Sequence, residues 1–383
     1  MWFDCNAVIF SLRNYSQTTH PAYLALAALN CLLLSLLCAS LAASLLRPTD
    51  SLAVYYGAGA LLGVAANVFF SRYPKTNSRP LRRNLLRATL FYAALYLIIY
   101  YLIGPLLWFE LRFYPRDARH SICCETPTDY GATEYEAVLL NTADGGKIAG
   151  WYIPARERLG KVVVLIHGSG YDRRGTDFYA RILLKQGYGI LMYDQRNHGE
   201  SSGPLNTFNR MDKMQGDLVA VITYLENEKH LAPSSIGIVG ISLGGFAALN
   251  LPAATINRIG PLWLDGIRSD NFGVYASGNV LSDTARQLFD YQTRLLAGLL
   301  TSEPIAAPAK SFRTLLPAVK QANIQLVASG LDNQERKTNE GLIPYLSPSM
   351  SLWIIPNAWH IGGRFDAKDE YEQRMTAFFN NHL

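Results

Sequence analysis

Ser235-Ile236-Gly237-Ile238-Val239-Gly240-Ile241-Ser242-Leu243-Gly244-Gly245 runs directly into Phe246-Ala247-Ala248-Leu249-Asn250-Leu251. The opening β-branched run predicts a buried strand, and the closing run predicts the start of a helix. Between them lies G-x-S-x-G. A serine on a sharp turn from strand to helix has its hydroxyl lifted clear of the sheet. Glycines are needed there because the backbone is strained and neighbouring chains come close. The pentapeptide alone more often marks a tight turn or Gly-rich loop than a nucleophile; the strand before it and the helix after it favour a nucleophile. A serine nucleophile then requires a base, an acid and two oxyanion donors elsewhere in the chain.

The surrounding pattern supplies a frame for them. Glu136 to Thr142 and Lys147 to Ile153, joined across Asp144-Gly145-Gly146, predict an antiparallel pair of strands. Val162 to Ile166 and Gly189 to Tyr193 are continuous apolar runs, as in strands buried on both faces. Leu262 to Leu264, Ile324 to Ala328 and Leu352 to Ile355 predict three more. Helices are expected over 176–186, over 211–228 with Met214, Leu218, Val221, Ile222 and Leu225 inward, and over 371–382 with Met375, Phe378 and Phe379 inward. Alternating strands and helices predict a mostly parallel sheet covered on both faces, with chemistry gathered beyond the carboxyl ends of the strands. His167, Asp194, Ser242, Asp332 and His360 all fall at such ends.

Residues 135–383 resemble the serine α/β-hydrolase family. The resemblance rests on His167-Gly168-Ser169-Gly170, on Asp194-Gln195-Arg196-Asn197-His198-Gly199-Glu200-Ser201, and on the 240–245 stretch, with Asp332 and His360 following in the order serine, acid, histidine. It implies Ser242 as nucleophile, His360 as its base and Asp332 as the acid that orients the imidazole. Asp332 is followed by Asn333-Gln334-Glu335, a departure from the family's usual continuation, and Asp265 is the alternative acid. The oxyanion donors are expected to be the Leu243 N–H and an N–H from the loop after His167, Ser169 first and Gly170 second. His198 and His167 are rival bases that the family uses structurally. No metal and no organic cofactor is implied, and no Cys/His spacing fits a metal site.

The N-terminal third has a different character. Charged residues make up 17% of the 383-residue chain, and the apolar excess lies before residue 110. Residues 22–46 carry no charge, and 25 residues of helix cover about 37 Å, enough for a bilayer core of about 30 Å. Residues 51–71 and 88–109 are two further uncharged runs. Three membrane spans are therefore expected, in an anchor over 1–110, with a linker over 111–134. Gly57, Gly59 and Gly63 offer close helix contacts. Arg72, Lys75, Arg79, Arg82, Arg83 and Arg87 crowd the second connection, which the positive-inside rule keeps in the cytoplasm. Everything after Phe109 is then extracytoplasmic, although Arg112, Arg116 and Arg119 pull the other way. These flanks account for most of the net charge of +5, and no nucleic-acid motif accompanies it. The five cysteines read as apolar fillers or free thiols.

Residues 266–320 form a long interval that reads equally as a cap insertion or as a helix packed on the sheet with loops around it. Its Leu- and Phe-containing stretch Leu288 to Leu300 suits an acyl or other apolar substrate. The sequence thus predicts a membrane-anchored serine hydrolase acting on an ester or thioester, with the bilayer and a small acyl substrate as partners. A serine peptidase or amidase of the same fold and a catalytically silent binding domain are the alternatives. Nothing in the sequence sets an oligomeric state.

Overall fold

The computed structural model describes residues 124–383 apart from Leu159, Asn197, 203–209 and most of 271–310, together with scattered positions between Leu86 and Ile98. The chain divides into two compact units, Met1–Arg112 with Leu288–Leu296, and Phe113–Gln287 with Ala297–Leu383. The apolar runs 22–46 and 51–71, most of 88–109 and most of the 266–320 interval lie outside the described residues. Among the described residues no helix is long and apolar enough to cross a membrane.

Eight strands form one sheet in the order β1-β2-β4-β3-β5-β6-β7-β8. They are β1 Glu136–Asn141, β2 Lys147–Ile153, β3 Val162–Ile166, β4 Gly189–Tyr193, β5 Ile236–Ile241, β6 Leu262–Asp265, β7 Ile324–Ser329 and β8 Met350–Ile355. The β1–β2 and β2–β4 pairs are antiparallel; every other pair is parallel. The helices are α1 Asp177–Lys185, α2 Arg210–Asn227, α3 Leu243–Leu249, α4 Ala253–Ile256, α5 Phe312–Leu315, α6 Asn333–Glu340, α7 Gly363–Asp366 and α8 Lys368–His382.

Burial on both faces follows from the alternation along each strand. Val162, Val164, Ile166, Ile236, Ile238, Leu262 and Leu264 face a core shared with Met214, Leu218, Val221, Ile222 and Leu225 of α2 and with α3. Val163, Leu165, Val239, Ile241 and Trp263 face the opposite core, filled by Tyr179, Ile182 and Leu183 of α1 and by Tyr371, Met375 and Phe379 of α8. Continuous apolar strands thus hold two layers of helices apart.

Three local differences from the sequence expectation have physical causes. Residues 111–134 read as a linker, yet Pro127–Tyr130 forms a 3-10 turn whose Tyr130 is buried, with the Arg181 guanidinium of α1 over its ring at 5.1 Å. Cys124 is disulfide-bonded, not a free thiol. Asn333 to Glu340 is a helix with no apolar face, so hydrophobic periodicity gives it no signal. The ends of the 271–310 interval are pinned together: Ser311 Oγ donates to Asp270 at 2.6 Å, and Phe312 N–H donates to the Asp270 carbonyl at 2.8 Å.

A largely buried ion network joins the turn between β1 and β2 to α2 through Arg196, in the loop after β4. Arg196 donates through Nε to Asp217 Oδ2 at 2.8 Å and through Nη1 to Asp144 Oδ2 at 2.9 Å. The guanidinium holds the Asp144 carboxyl far below the usual carboxylate range. Substituting Arg196 by Met leaves a carboxylate buried without its cation, so it is expected to cost about 3–5 kcal/mol. Urea unfolding of the purified variant against wild type measures this.

Candidate active site

The turn between β5 and α3 carries Ser242 with φ 50° and ψ −106°, in the left-handed half of backbone space. Such a conformation costs a non-glycine residue on the order of 1–3 kcal/mol and persists only where its surroundings impose it. Here they do. Ser242 N–H donates to the Asp265 carbonyl at 2.7 Å, which ties the turn to the end of β6. A side chain at Gly244 would run into the backbone carbonyl of Ile166 at the end of β3, so only glycine lets α3 start against the sheet.

His360 lies on the loop after β8. Its Nε2 is 3.0 Å from Ser242 Oγ, and its Nδ1 is 2.5 Å from Glu335 Oε2. A carboxylate only accepts, so Nδ1 carries the hydrogen and Nε2 turns its lone pair to the serine hydroxyl. Glu335 is fully buried, and its other oxygen accepts from the Ser329 N–H at 2.6 Å. Ser242 and His360 stay partly open to solvent. Ile361, directly after the histidine, also has a positive φ, 53°, and a side chain at Gly266 (φ 84°) would strike Ile361 and the imidazole.

The acid expectation is corrected by this geometry. Asp332 does not hold the imidazole; Glu335, one helical turn on, does. Asp332 is the N-cap of α6, accepting from Gln334 N–H at 3.1 Å and Glu335 N–H at 3.0 Å. Its second oxygen pairs with Arg268 Nη2 at 2.8 Å. The sequence did carry a signal. Asp332-x-x-Glu335 has the spacing of a helix N-cap and its third residue, where an acid is favoured. That spacing predicts a helix where the chain looked irregular.

Asp265, the alternative acid, is buried under the site and is engaged by other partners. Its Oδ2 accepts from Tyr179 at 2.9 Å and from Tyr371 at 2.8 Å. The Trp263 indole N–H in turn donates to the Tyr371 hydroxyl at 2.7 Å. Burial pushes the Asp265 carboxyl up to about 6; the Tyr371 hydrogen bond opposes this and the Glu335 charge adds to it.

The remaining histidine candidates have other partners. His167 is buried, accepts the Gln195 N–H on Nε2 at 2.9 Å and faces the Gly168 carbonyl through Nδ1 at 2.7 Å. His198 packs edge-on against it, with ring centroids 5.1 Å apart. Asp194 organises its own turn, accepting from Arg173 N–H at 2.7 Å and Glu200 N–H at 2.8 Å. In the loop after His167, Gly170 N–H is already given to the Gly168 carbonyl at 3.0 Å. Asp332, Glu335 and His360 also come close enough to offer three ligand atoms to a cation; the short His360–Glu335 contact uses two of those groups for each other.

Fold and site together define a hydrolase of the α/β class, with a serine at the strand-to-helix turn facing a histidine after the last strand. Residues 163–376 match the sequence profile of the alpha/beta hydrolase family, and the chain belongs to that family. It is 29% identical over 116 residues to the thiohydrolase aneE of Aspergillus aculeatus, a match covering 30% of this chain and 36% of that protein. It is 26% identical over 185 residues to the quorum-quenching protein AidA of Acinetobacter baumannii, covering 47% of this chain and 60% of that protein. The chain therefore spans less than two thirds of the length of these relatives. Among solved structures, the Pyrococcus furiosus esterase Pf2001 superposes with a TM-score of 0.53 at 22% identity, over 68% of this chain and 96% of that one. At that identity the likeness concerns the fold.

Asp265 gives a sign-definite test. A carboxyl raised in the folded state binds protons that the unfolded chain has released, so it favours folding below about 4 and loses that contribution as pH rises through about 6. Asp265→Asn removes the ionisation. The stability of the variant relative to wild type is expected to improve by about 2–3 kcal/mol between pH 4 and pH 7, the worth of a pKa raised from about 4 to about 6. Paired denaturation curves at the two pH values read it, and a constant difference would contradict the assignment.

Proposed function

We propose that this protein is a serine hydrolase that cleaves an ester or thioester through an acyl-enzyme on Ser242. The observation that carries the reading is the unbroken line Ser242 Oγ–His360 Nε2 at 3.0 Å and His360 Nδ1–Glu335 Oε2 at 2.5 Å. In this reading His360 takes the Ser242 proton as the hydroxyl oxygen attacks the acyl carbon. Glu335, sealed from water, keeps the imidazole in the required tautomer and stabilises the imidazolium. Two N–H groups receive the developing oxyanion. Leu243, the first residue of α3, offers one, since the first N–H groups of a helix have no partner within it. Ser169 offers the other, because Gly170 N–H is already engaged. Protonated His360 then returns its proton to the leaving alcohol or thiol, and water repeats the sequence to release the acid.

The thiohydrolase among the relatives and the esterase fold support acyl substrates with an oxygen or sulfur leaving group. We further propose that the N-terminal runs anchor this domain in a bilayer with the hydrolase on the extracytoplasmic side. The described positions from Leu86 to Ile98 are helical, and Leu90 and Phe91 there are 61% and 63% exposed. Large apolar side chains on a helix surface suit contact with lipid.

Ser242→Ala is expected to abolish labelling by a fluorophosphonate probe and the hydrolysis of p-nitrophenyl esters of graded chain length. Labelling or turnover that survives the substitution would refute the nucleophile. For the sidedness, a cysteine introduced at exposed Glu157 should react with a membrane-impermeant maleimide on intact cells; protection until the cells are permeabilised would reverse the orientation.

A further inference from the structure

Four large apolar side chains stand in solvent at the end of the sheet that carries Ser242 and His360. Tyr171 lies in the loop after β3, Leu331 follows β7, and Trp359 and Phe365 follow β8. All four are exposed, Trp359 by 67% and Phe365 by 73%. Trp359 directly precedes His360. Backbone bonds fix this rim. Leu331 N–H donates to the Ala358 carbonyl at 3.0 Å, Gly362 N–H to the Trp359 carbonyl at 2.6 Å, and Phe365 N–H to the Gly362 carbonyl at 2.8 Å. A side chain at Gly362 would run into the Trp359 backbone, so the turn closes only on glycine. One exposed apolar residue needs no explanation; several at one end of the sheet, held outward by an ordered turn, mark a contact surface.

Resting on the serine-hydrolase reading, we propose that this rim seats on a lipid surface, so that Ser242 and His360 act on an acyl ester or thioester held in the bilayer itself. Three observations name lipid as the occupant. The rim is aromatic and carries an arginine, with the Arg364 guanidinium over the Phe365 ring at 4.7 Å; aromatic rings and snorkelling arginines settle at the headgroup level of a membrane. The interval 271–310 departs and returns at the same end of the sheet, between Asp270 and Ser311, and its Leu288–Leu296 segment groups with Met1–Arg112, the unit that holds the uncharged runs. Depth agrees with the chemistry: apolar groups at an interface sink about 5–10 Å, to the boundary of headgroups and acyl chains. The ester carbonyl of a membrane lipid lies at that boundary, level with a serine beside the rim. Arg364 and Lys368 are accompanied by Asp366, Asp369 and Glu370, so apolar insertion and not positive charge holds the contact.

The test uses the full chain in phosphatidylcholine vesicles, with and without lipids brominated high in their acyl chains. Subtracting the tryptophan emission of Trp359→Phe from that of the wild type isolates Trp359. Bromine is expected to quench most of that component, at low and high salt alike. The emission added by Glu157→Trp, which sits at the opposite end of the strands, should stay unquenched. A Trp359 component that bromine leaves untouched overturns the proposal; if that component is nonetheless blue-shifted, the rim is covered by protein. Equal quenching at both positions overturns it as well, since the contact would then be unspecific adsorption. A second measurement reads catalysis as a ratio, which cancels any general loss of folded enzyme. The kcat/KM for a long-chain p-nitrophenyl ester dispersed in the vesicles, divided by that for p-nitrophenyl acetate in solution, should fall at least tenfold in Phe365→Glu. An unchanged ratio overturns the proposal. Ser242→Ala separates the two readings. If it still hydrolyses the esters, the serine-hydrolase reading fails; if it is inactive while Trp359 escapes the bromines, only the lipid-seated rim falls.

Discussion

The left-handed backbone of Ser242 is the constraint on which the rest of this structure depends. A residue with a side chain resists that conformation, and it is imposed here from two sides. The Asp265 carbonyl takes the Ser242 N–H, and the Ile166 carbonyl presses against the place where Gly244 lacks a Cβ. Both clamps are ends of neighbouring strands, β6 and β3. The register Ile166 to Gly240 and Ile241 to Asp265 therefore aims the hydroxyl as much as it builds the sheet. Moving either strand by one residue would release the turn and invert every inward side chain of that strand.

Charge is distributed around that turn with one partner set for each carboxylate. Glu335 is buried between a backbone N–H and an imidazole. Asp265 is buried under two tyrosine hydroxyls. Asp332 is divided between a helix N-terminus and an arginine at the surface. An unpaired anion in such a place would be costly, and each of these has at least two donors. Only one of the three meets the histidine in line with Ser242. What separates the acid that meets His360 from its neighbours is this choice of partner, because all three are acidic residues at or just past the carboxyl end of a parallel strand.

Much of the frame was legible in the chain. The strands were, because a strand buried on both faces must be continuously apolar and those runs are short and bounded by Gly, Asp and Ser. The inward faces of α2 and α8 were also legible, from helical spacing. Ser242 and His360 were legible from their places after strands. The acid was not. Asn333-Gln334-Glu335-Arg336-Lys337-Thr338-Asn339-Glu340 lacks the apolar stripe that announces a helix, so Glu335 looked like one polar residue among several in a loop. The Tyr179–Asp265–Tyr371 cluster was equally hidden, since its members are 86 and 106 residues apart and meet only once α1 and α8 pack on the same face of the sheet.

By itself, the sequence determined which residues alternate, which turns require glycine, and in what order serine, acid-bearing segment and histidine follow one another. These are properties of local stereochemistry and of burial, and they can be read from neighbours along the chain. Only the tertiary structure decided that Glu335 and not Asp332 meets His360. That outcome depends on Asp332 being consumed as a helix cap and drawn to an arginine from another strand's end. The competition for one aspartate among a backbone, a guanidinium and an imidazole is settled by distances across the fold, which no spacing along the chain records.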